Sequence, residues 1–554
     1  MLTEFVIDSM VKKLAENKKL ALVITAIIVI QCAVLVYWQE QRGNYFVDEL
    51  FSFGYASSFS AESSHYIMED ESWKYDSWMD SEDLISQLEV DDDNSLLSLP
   101  VDKQISLLAS KRTFMGLLNI IMSFTEPFEG YSKGALLLNI IILLISELLL
   151  GKIIFILTRS KQIMVLSLIM YGFSAFIIGM CEFIRFYLFV IMLLLLVLFC
   201  HLKLWKCNKI WMFLIIELIA FISAYYGLKH SELVLVLCGS FFCFFFISLL
   251  CRRQLRNAIV YATPLLLGTY FYVYKKTLLF DVILHPSHFA DANNYGLGTT
   301  AYYFTTMTSE RVGESLGIIK ECISGKWFGS GFIALAFLGL FIAWIIMVII
   351  ERSKAIPKPK EPNHYIGFII IVVLTIITYM TFMVLSYLHL DRYLSFAVVL
   401  MMIVFWFCIG LLQRECPNRT MLAAFAIVVI ASGILCQQAD HYPYLEIGDR
   451  NGLVVAKNYQ AIDSVIVENY ANGVEEHAVY DCVVNSGRDV RILATSFDRQ
   501  YAFDSKDLPE QFLVWCHASG GADKMYALLY GTGYTAEKIG ETHINEIYLC
   551  CRKH

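Results

Sequence analysis

The stretch NYFVDELFSFGYAS, residues 44–57, follows a first apolar run over Leu20–Trp38 and places two neighbouring acids, Asp48 and Glu49, just beyond it. A paired carboxylate at a membrane surface is costly to desolvate, which makes it a functional-site candidate. Tyr45, Phe46, Leu50, Phe51 and Phe53 surround the acids with apolar and aromatic side chains. That setting suits a carboxylate held against a bilayer and used for proton transfer. The plainer reading, two solvated acids in a polar loop, fits an isolated acid pair better than it fits these five neighbours.

The rest of the chain is built for a bilayer. Of its 554 residues 57% are hydrophobic, with a mean hydropathy of +0.58. Apolar runs of spanning length recur near 20–38, 134–157, 162–180, 186–201, 210–226, 231–250, 257–274, 329–350, 364–386, 394–412 and 420–436. The expected fold class is an α-helical polytopic membrane protein of about eleven transmembrane helices. The first span has Lys12, Lys13, Lys18 and Lys19 before it and no small-residue cleavage site after it, so it reads as an anchor rather than a signal peptide. The linkers RSK (159–161), HLKLWKCNK (201–209), CRRQLRN (251–257), ERSKAIPKPK (351–360) and QRECPNR (413–419) each carry at least two Lys or Arg. CEFIR, GLKHSE and LHLDRY, on the opposite side, carry one each. This alternation predicts a cytoplasmic N-terminus (1–19), a membrane domain over 20–436 and an extracytoplasmic domain over 437–554.

Three long segments then fall outside: 39–132, 275–328 and 437–554. The net charge of −8 gathers there, above all in the acidic insertion 61–102, which argues against nucleic acid as a partner. Asp91-Asp92-Asp93-Asn94 offers hard oxygen ligands. It lacks the alternation and glycine of a calcium loop, so it reads as a solvated surface; no cofactor is called for, and a divalent metal stays open. The fifteen cysteines include no zinc-type Cys-x-x-Cys pair. In 437–554 the runs 478–484, 490–497, 512–517 and 544–551 read as strands, 456–470 and 523–531 as helices, giving a small α/β domain. GTGYT (531–535) follows a helix rather than a strand and reads as a helix stop, not a phosphate loop. The loop 275–328 opens with Lys275-Lys276, contains His285 and His288, read as ordinary loop histidines, and ends in a helical stretch over 309–323, a place for a lid.

An outer Asp-Glu after the first span, many further spans and an outer C-terminal domain resemble the GT-C fold glycosyltransferases. The nearest likeness is to bacterial relatives of protein O-mannosyltransferases and aminoarabinose transferases. VDELFSFGYASS (47–58) is similar to that family's Asp-Glu motif, CEFIRFYLFVIMLLLL (181–196) to its Glu–Arg-x-Tyr, carried here by Arg185 and Tyr187, and HLDRYLSF (389–396) to its late Arg-Tyr, here Arg392 and Tyr393. The His-Pro-Pro motif is not evident, and Glu182 stands three residues before Arg185 rather than two. The resemblance implies an inverting hexosyl- or pentosyltransferase of the plasma membrane. Its donor would be a polyprenyl-phosphate-linked sugar and its acceptor a cell-envelope glycan, lipid or protein. Asp48 would be the base, with Glu49 orienting the acceptor or tuning Asp48. Arg392, Arg185, Lys275 and Lys276 would hold the donor phosphate, and Tyr187 and Tyr393 would line the substrate pocket. A transporter or flippase of lipid-linked glycans is the alternative, set back by the clustering of ionisable groups at the outer ends of spans and by the lack of a visible repeat; a scaffold presenting the outer domain does not need so many spans.

Overall fold

A computed structural model describes residues 18–59, 78–86, 88–90, 94–127, 129–231, 233–275, 309–354, 364–385, 391–445, 447, 458–459, 462–468, 490–495, 508–517, 520–530, 532–542 and 545–553. Two compact units are formed. The first takes Met1–Val34, Asn139–Cys181 and Phe186–His441; the second takes Leu35–Leu138, Glu182–Arg185 and Tyr442–His554.

In chain order the helices begin with α1 (Lys18–Gln41), α2 (Val47–Ser57), α3 (Ser81–Ser86), α4 (Val101–Ser110), α5 (Thr113–Met122) and α6 (Glu129–Thr158). They continue with α7 (Lys161–Gly172), α8 (Ala175–Glu182), α9 (Tyr187–Leu204), α10 (Ile210–His230), α11 (Leu233–Cys251), α12 (Leu255–Lys275) and α13 (Ser309–Glu321). The last long helices are α14 (Gly331–Lys354), α15 (Ile366–Leu385), α16 (Asp391–Glu415) and α17 (Arg419–Leu435).

Among the described residues, α1, α6, α9, α10, α11, α14, α15 and α16 are long and apolar enough to cross a membrane, and α7 with α8 adds a ninth span if the pair, bent by 52°, crosses once. The two other expected spans coincide with helices that fall short of that measure. α12 carries Arg256 and Pro264, and α17 has 17 residues. Eleven apolar segments are therefore helical, but eight or nine meet the requirement for a span.

The first unit packs large side chains inside, among them Trp344, Trp406, Tyr171, Tyr261 and Tyr379, while Leu22, Ile346, Ile377 and Ile427 stay exposed on helix surfaces. Recurrent exposed aliphatic residues on long helices are what lipid rather than water would cover. Polar groups are few and placed with care. Gln31 of α1 donates from Nε2 to the Leu168 carbonyl at 3.5 Å. A Cβ at Gly172 would fall on Gln31 Nε2 and Glu147 Oε1, the ends of two buried side chains that would have to move to make room.

The second unit contains a six-stranded sheet in the order β1-β3-β2-β4-β6-β5, built from β1 (Trp78–Asp80), β2 (Ser464–Glu468), β3 (Arg491–Thr495), β4 (Gln511–His517), β5 (Tyr534–Glu541) and β6 (Asn545–Arg552). β3, β2 and β4 run parallel, and β1, β6 and β5 join antiparallel. One face packs Val465, Val467, Ile492, Leu513, Trp515 and Ile547, with Ile85 against them. The other packs Ile466, Phe512, Val514, Tyr548 and Cys550, with Met525 and Leu529 of the helix α18 (Gly521–Leu529). A sheet buried on both faces reads as continuous apolar runs rather than alternation.

Two readings of this region are corrected. Residues 464–468 of the expected helix 456–470 form β2, because SVIVE is a β-branched run buried on both sides, where periodicity cannot separate strand from helix. The edge strand β1 comes from the acidic insertion, not from the C-terminal segment: Trp78, Met79 and Asp80 pair with Leu493, Ile492 and Arg491. Ser81 reinforces the join, its N–H donating to the Val490 carbonyl at 2.8 Å and its Oγ accepting from Val490 N at 3.2 Å. The expected strands at 490–497, 512–517 and 544–551 appear as β3, β4 and β6, and 523–531 as α18. Within GTGYT, Thr532 and Gly533 form a turn, with Gly533 at φ +83°, that leads into β5 at Tyr534. The expected strand 478–484 and the acids 91–93 lie outside the described residues.

Gly172→Ala is expected to lower stability by about 1–3 kcal/mol, the usual cost of overpacking a tight contact. Thermal unfolding of the purified protein in detergent checks it.

Candidate functional site

The site grows out of the end of the first span. α1 ends at Gln41, Arg42 N donates back to Gln39 at 3.2 Å, and Gly43 N donates to the Leu445 carbonyl at 2.9 Å. The chain then turns into α2, with Phe46 at its N-cap. Phe46 has no side-chain oxygen to cap the helix. Glu49, at the third helical position, reaches back instead, and its Oε2 accepts from Phe46 N at 2.9 Å. The far end of α2 is held by Asn119 of α5, which donates to the Ala56 carbonyl at 2.8 Å and accepts from Leu96 N at 2.7 Å. Phe53 and Ala56 are wholly buried.

The two acids face different surroundings. Glu49 is 0% exposed. Its Oε2 takes Arg42 Nη1 at 2.7 Å, and its Oε1 takes the backbone N–H of Ile184 at 2.9 Å. Arg42, 7% exposed, also donates from Nη2 to the Glu182 carbonyl at 2.7 Å and lies over the Tyr45 ring at 5.5 Å. Burial pushes the Glu49 carboxyl upward, while the Arg42 charge and the two N–H donors act against it. Burial likewise acts to lower the Arg42 guanidinium, and the Glu49, Tyr45 and Glu182 charges, with the hydrogen bond to Glu49, together outweigh it. We read the pair as ionised, since three donors converge on the two carboxylate oxygens and a proton would displace one of them.

Asp48, one residue earlier, keeps 16% of its side chain exposed and pairs with Arg185 Nη2 at 3.1 Å. Arg185 Nη1 donates to Ser52 Oγ at 3.3 Å, and Ser52 Oγ donates to the Asp48 carbonyl at 2.9 Å. The segment 182–185 is thus gripped twice, Ile184 by Glu49 and Arg185 by Asp48. Phe46, Phe183 and Tyr444 close one side, with Phe183 and Tyr444 stacked at 4.3 Å.

Three of the expected residues sit together in the second unit: Asp48, Glu49 and Arg185. Three others sit together in the first. Tyr187 of α9 and Tyr393 of α16 meet edge to face at 5.8 Å, the Tyr393 carbonyl accepts from Tyr379 OH at 3.0 Å, and half-buried Arg392 lies in the first turn of α16, 5.6 Å from the Tyr393 ring. Lys275 is the last residue of α12, of whose side chain nothing is described, and Lys276, His285 and His288 lie outside the described residues. Arg42 and the carbonyl of Glu182 were missed by sequence reading. The signal available was an arginine seven positions before Glu49 at the end of a span, where interfacial snorkelling explains an arginine equally well. Among the described residues no group of three or more His, Cys, Asp or Glu side chains comes together to hold a metal.

No family model matches the chain, and no curated protein matches it. Its fold is similar to crystal structures of ArnT from Cupriavidus metallidurans, one bound to undecaprenyl phosphate and one in the apo state. Each match has a TM-score of 0.49 and 9% identity, and covers 95% of this chain and 97% of the other.

Arg42→Ala would leave the Glu49 carboxylate buried without its counter-ion and is expected to cost about 3–5 kcal/mol, against near-neutrality for an exposed pair. Thermal unfolding in detergent, compared with the exposed-pair variant Arg352→Ala, measures the difference.

Proposed function

We propose that this chain is an inverting, membrane-embedded glycosyltransferase that moves a sugar from a polyprenyl-phosphate donor to a hydroxyl of a cell-envelope acceptor, on the outer face of a bacterial plasma membrane. The observation that supports this most is the different fate of the two neighbouring acids. Glu49 is sealed among donors, whereas Asp48 stays partly open beside a cation. An open carboxylate held at one place is what a general base needs.

In this reading Asp48 accepts the proton of the acceptor hydroxyl as its oxygen attacks the anomeric carbon. The bond from that carbon to the phosphate oxygen breaks on the opposite face, so the configuration inverts and the lipid phosphate departs with the electron pair. Arg185 holds the Asp48 carboxylate by its 3.1 Å contact, with Ser52 fixing the other arm of its guanidinium. The departing phosphate is assigned first to Arg392, since a guanidinium in the first turn of a 25-residue helix adds its charge to the positive helix end. Tyr187 and Tyr393 beside it offer surface for the sugar or the isoprenoid. Lys275 and Lys276 remain candidates from the sequence pattern. The donor tail needs a bilayer, and undecaprenyl phosphate, which the ArnT structure binds, is the natural probe.

The pairing of β1 with β3 supports the sidedness of this scheme. It ties the segment after the first span to the C-terminal domain, so both lie on one side of the membrane, the outer side by the distribution of basic residues. One observation favours the transporter alternative: the 52° break between α7 and α8 is of the kind that broken transport helices show. Flipping of a labelled lipid-linked sugar in proteoliposomes without transfer would favour that alternative.

With a panel of undecaprenyl-phosphate sugars, Asp48→Asn is expected to fold and insert normally yet lose about 10²–10⁴-fold in turnover, while Arg392→Ala weakens undecaprenyl-phosphate binding by about 1.5–3 kcal/mol. Turnover by the Asp48→Asn variant at the wild-type level removes Asp48 as base, and unchanged binding returns Arg392 to an anchoring role. Impermeant maleimide applied to intact cells is expected to label single cysteines placed at exposed positions 80 and 541 alike; cytoplasmic protection of either one overturns the sidedness.

A further inference from the structure

Glu49 lies next to the proposed base, yet burial denies it contact with any acceptor. Its hydrogen bonds show what it does instead. Residues 48 and 49 are adjacent, and so are their partners 185 and 184: Asp48 takes the Arg185 side chain at 3.1 Å and Glu49 takes the Ile184 N–H at 2.9 Å. Arg42 closes the loop, with one arm on Glu49 at 2.7 Å and the other on the Glu182 carbonyl at 2.7 Å. The segment 182–185 is therefore held at the carbonyl of 182 and the N–H of 184 by Arg42 and Glu49, and both of these belong to the stretch that carries Asp48. With Phe46 N also on Glu49, the same carboxylate sets the start of α2, one helical position from Asp48.

We propose that Arg42 and Glu49 form a positioning clip that sets the distance and angle between Asp48 and Arg185, and so the aim of the base, without touching substrate. This rests on the reading of Asp48 as the base. The nature of the contacts separates a clip from mere support. A ligand of the backbone at 184 moves the guanidinium of 185, and with it the 3.1 Å contact that holds the Asp48 carboxylate in place. Loosening the clip should alter the chemical step and leave substrate binding alone, as loss of an orienting partner does elsewhere.

Two measurements test this. The first uses whichever undecaprenyl-phosphate sugar the wild type turns over. Glu49→Gln keeps size and one acceptor oxygen and is expected to lower kcat about 10–100-fold with KM within about threefold. Arg42→Lys keeps the charge and loses the fork, and should fall in the same direction by less. An unchanged kcat in the folded fraction overturns the clip, as does a raised KM at constant kcat, which would make Glu49 a substrate contact. Failure of both variants to fold also overturns it, in favour of a purely structural pair. If Asp48→Asn is fully active while Glu49→Gln is impaired, it is the base that fails and not the clip.

The second measurement needs no turnover. In Asp48→Cys the new thiol sits opposite Arg185, and the pH profile of its alkylation by iodoacetamide, followed by peptide mass spectrometry, reports that cation. Adding Glu49→Gln is expected to raise the midpoint by about one pH unit, through retreat of Arg185. An unmoved midpoint overturns the proposal whatever the enzyme's substrate proves to be.

Discussion

The buried ion pair between Arg42 and Glu49 is the constraint on which the rest of the site depends. Removing two charges from water costs several kcal/mol per ion, and their attraction offsets this only where the geometry is good and the remaining lone pairs are filled. Here Glu49 has Arg42, Phe46 N and Ile184 N on its two oxygens, and Arg42 has the Glu182 carbonyl on its second arm. Each added bond brings a different piece of chain to the pair: the end of α1, the start of α2 and the turn between α8 and α9. An apolar pair of equal volume would fill the same space without specifying which segments meet. The charges enforce a single arrangement of two neighbouring segments and a third that lies 140 residues further along the chain.

Beside that pair, Asp48 shows how one helix start can hold two carboxylates for different ends. Successive positions on a helix face different directions, so the neighbours need not share a fate. Glu49 turns inward to donors and is fully covered. Asp48 turns to Arg185 and stays partly open. Opposed surroundings for adjacent titratable groups are the usual way in which a site divides its roles.

Much of the membrane part was legible because its signal is repetitive. Long apolar runs with basic linkers located the helices, and the Asp-Glu after the first span marked the stretch from which the candidate site is built. What stayed hidden has physical reasons. Arg42 looked like any arginine leaving a bilayer, and its partner lies seven residues on, across a turn that no local pattern announces. The grip on Ile184 is a backbone contact, which leaves no trace in side-chain identity. SVIVE became a strand through burial on both faces, which erases the period-2 signal. TAEKIGE, in β5, carries no strand signal, because an exposed edge strand rich in charge lacks the β-branched run that marks a strand.

The edge strand β1 also bears on how many helices cross the membrane. Trp78–Asp80 pairs with β3, so the chain after α1 and the chain after α17 end on one side. The number of crossings between them must then be even. If α7 and α8 together cross once, α6 and the long apolar helices α9, α10, α11, α14, α15 and α16 bring the number to eight. This parity survives only if α12 and α17 both cross or neither does. α12 carries Arg256 near its start and Pro264 within it, and α17 has 17 residues. Both follow basic linkers, CRRQLRN and QRECPNR, of the kind that the positive-inside rule retains in the cytoplasm. If both linkers are on that side, the two helices are required to return the chain outward. Parity and linker charge together then favour eleven crossings, where length alone gives nine.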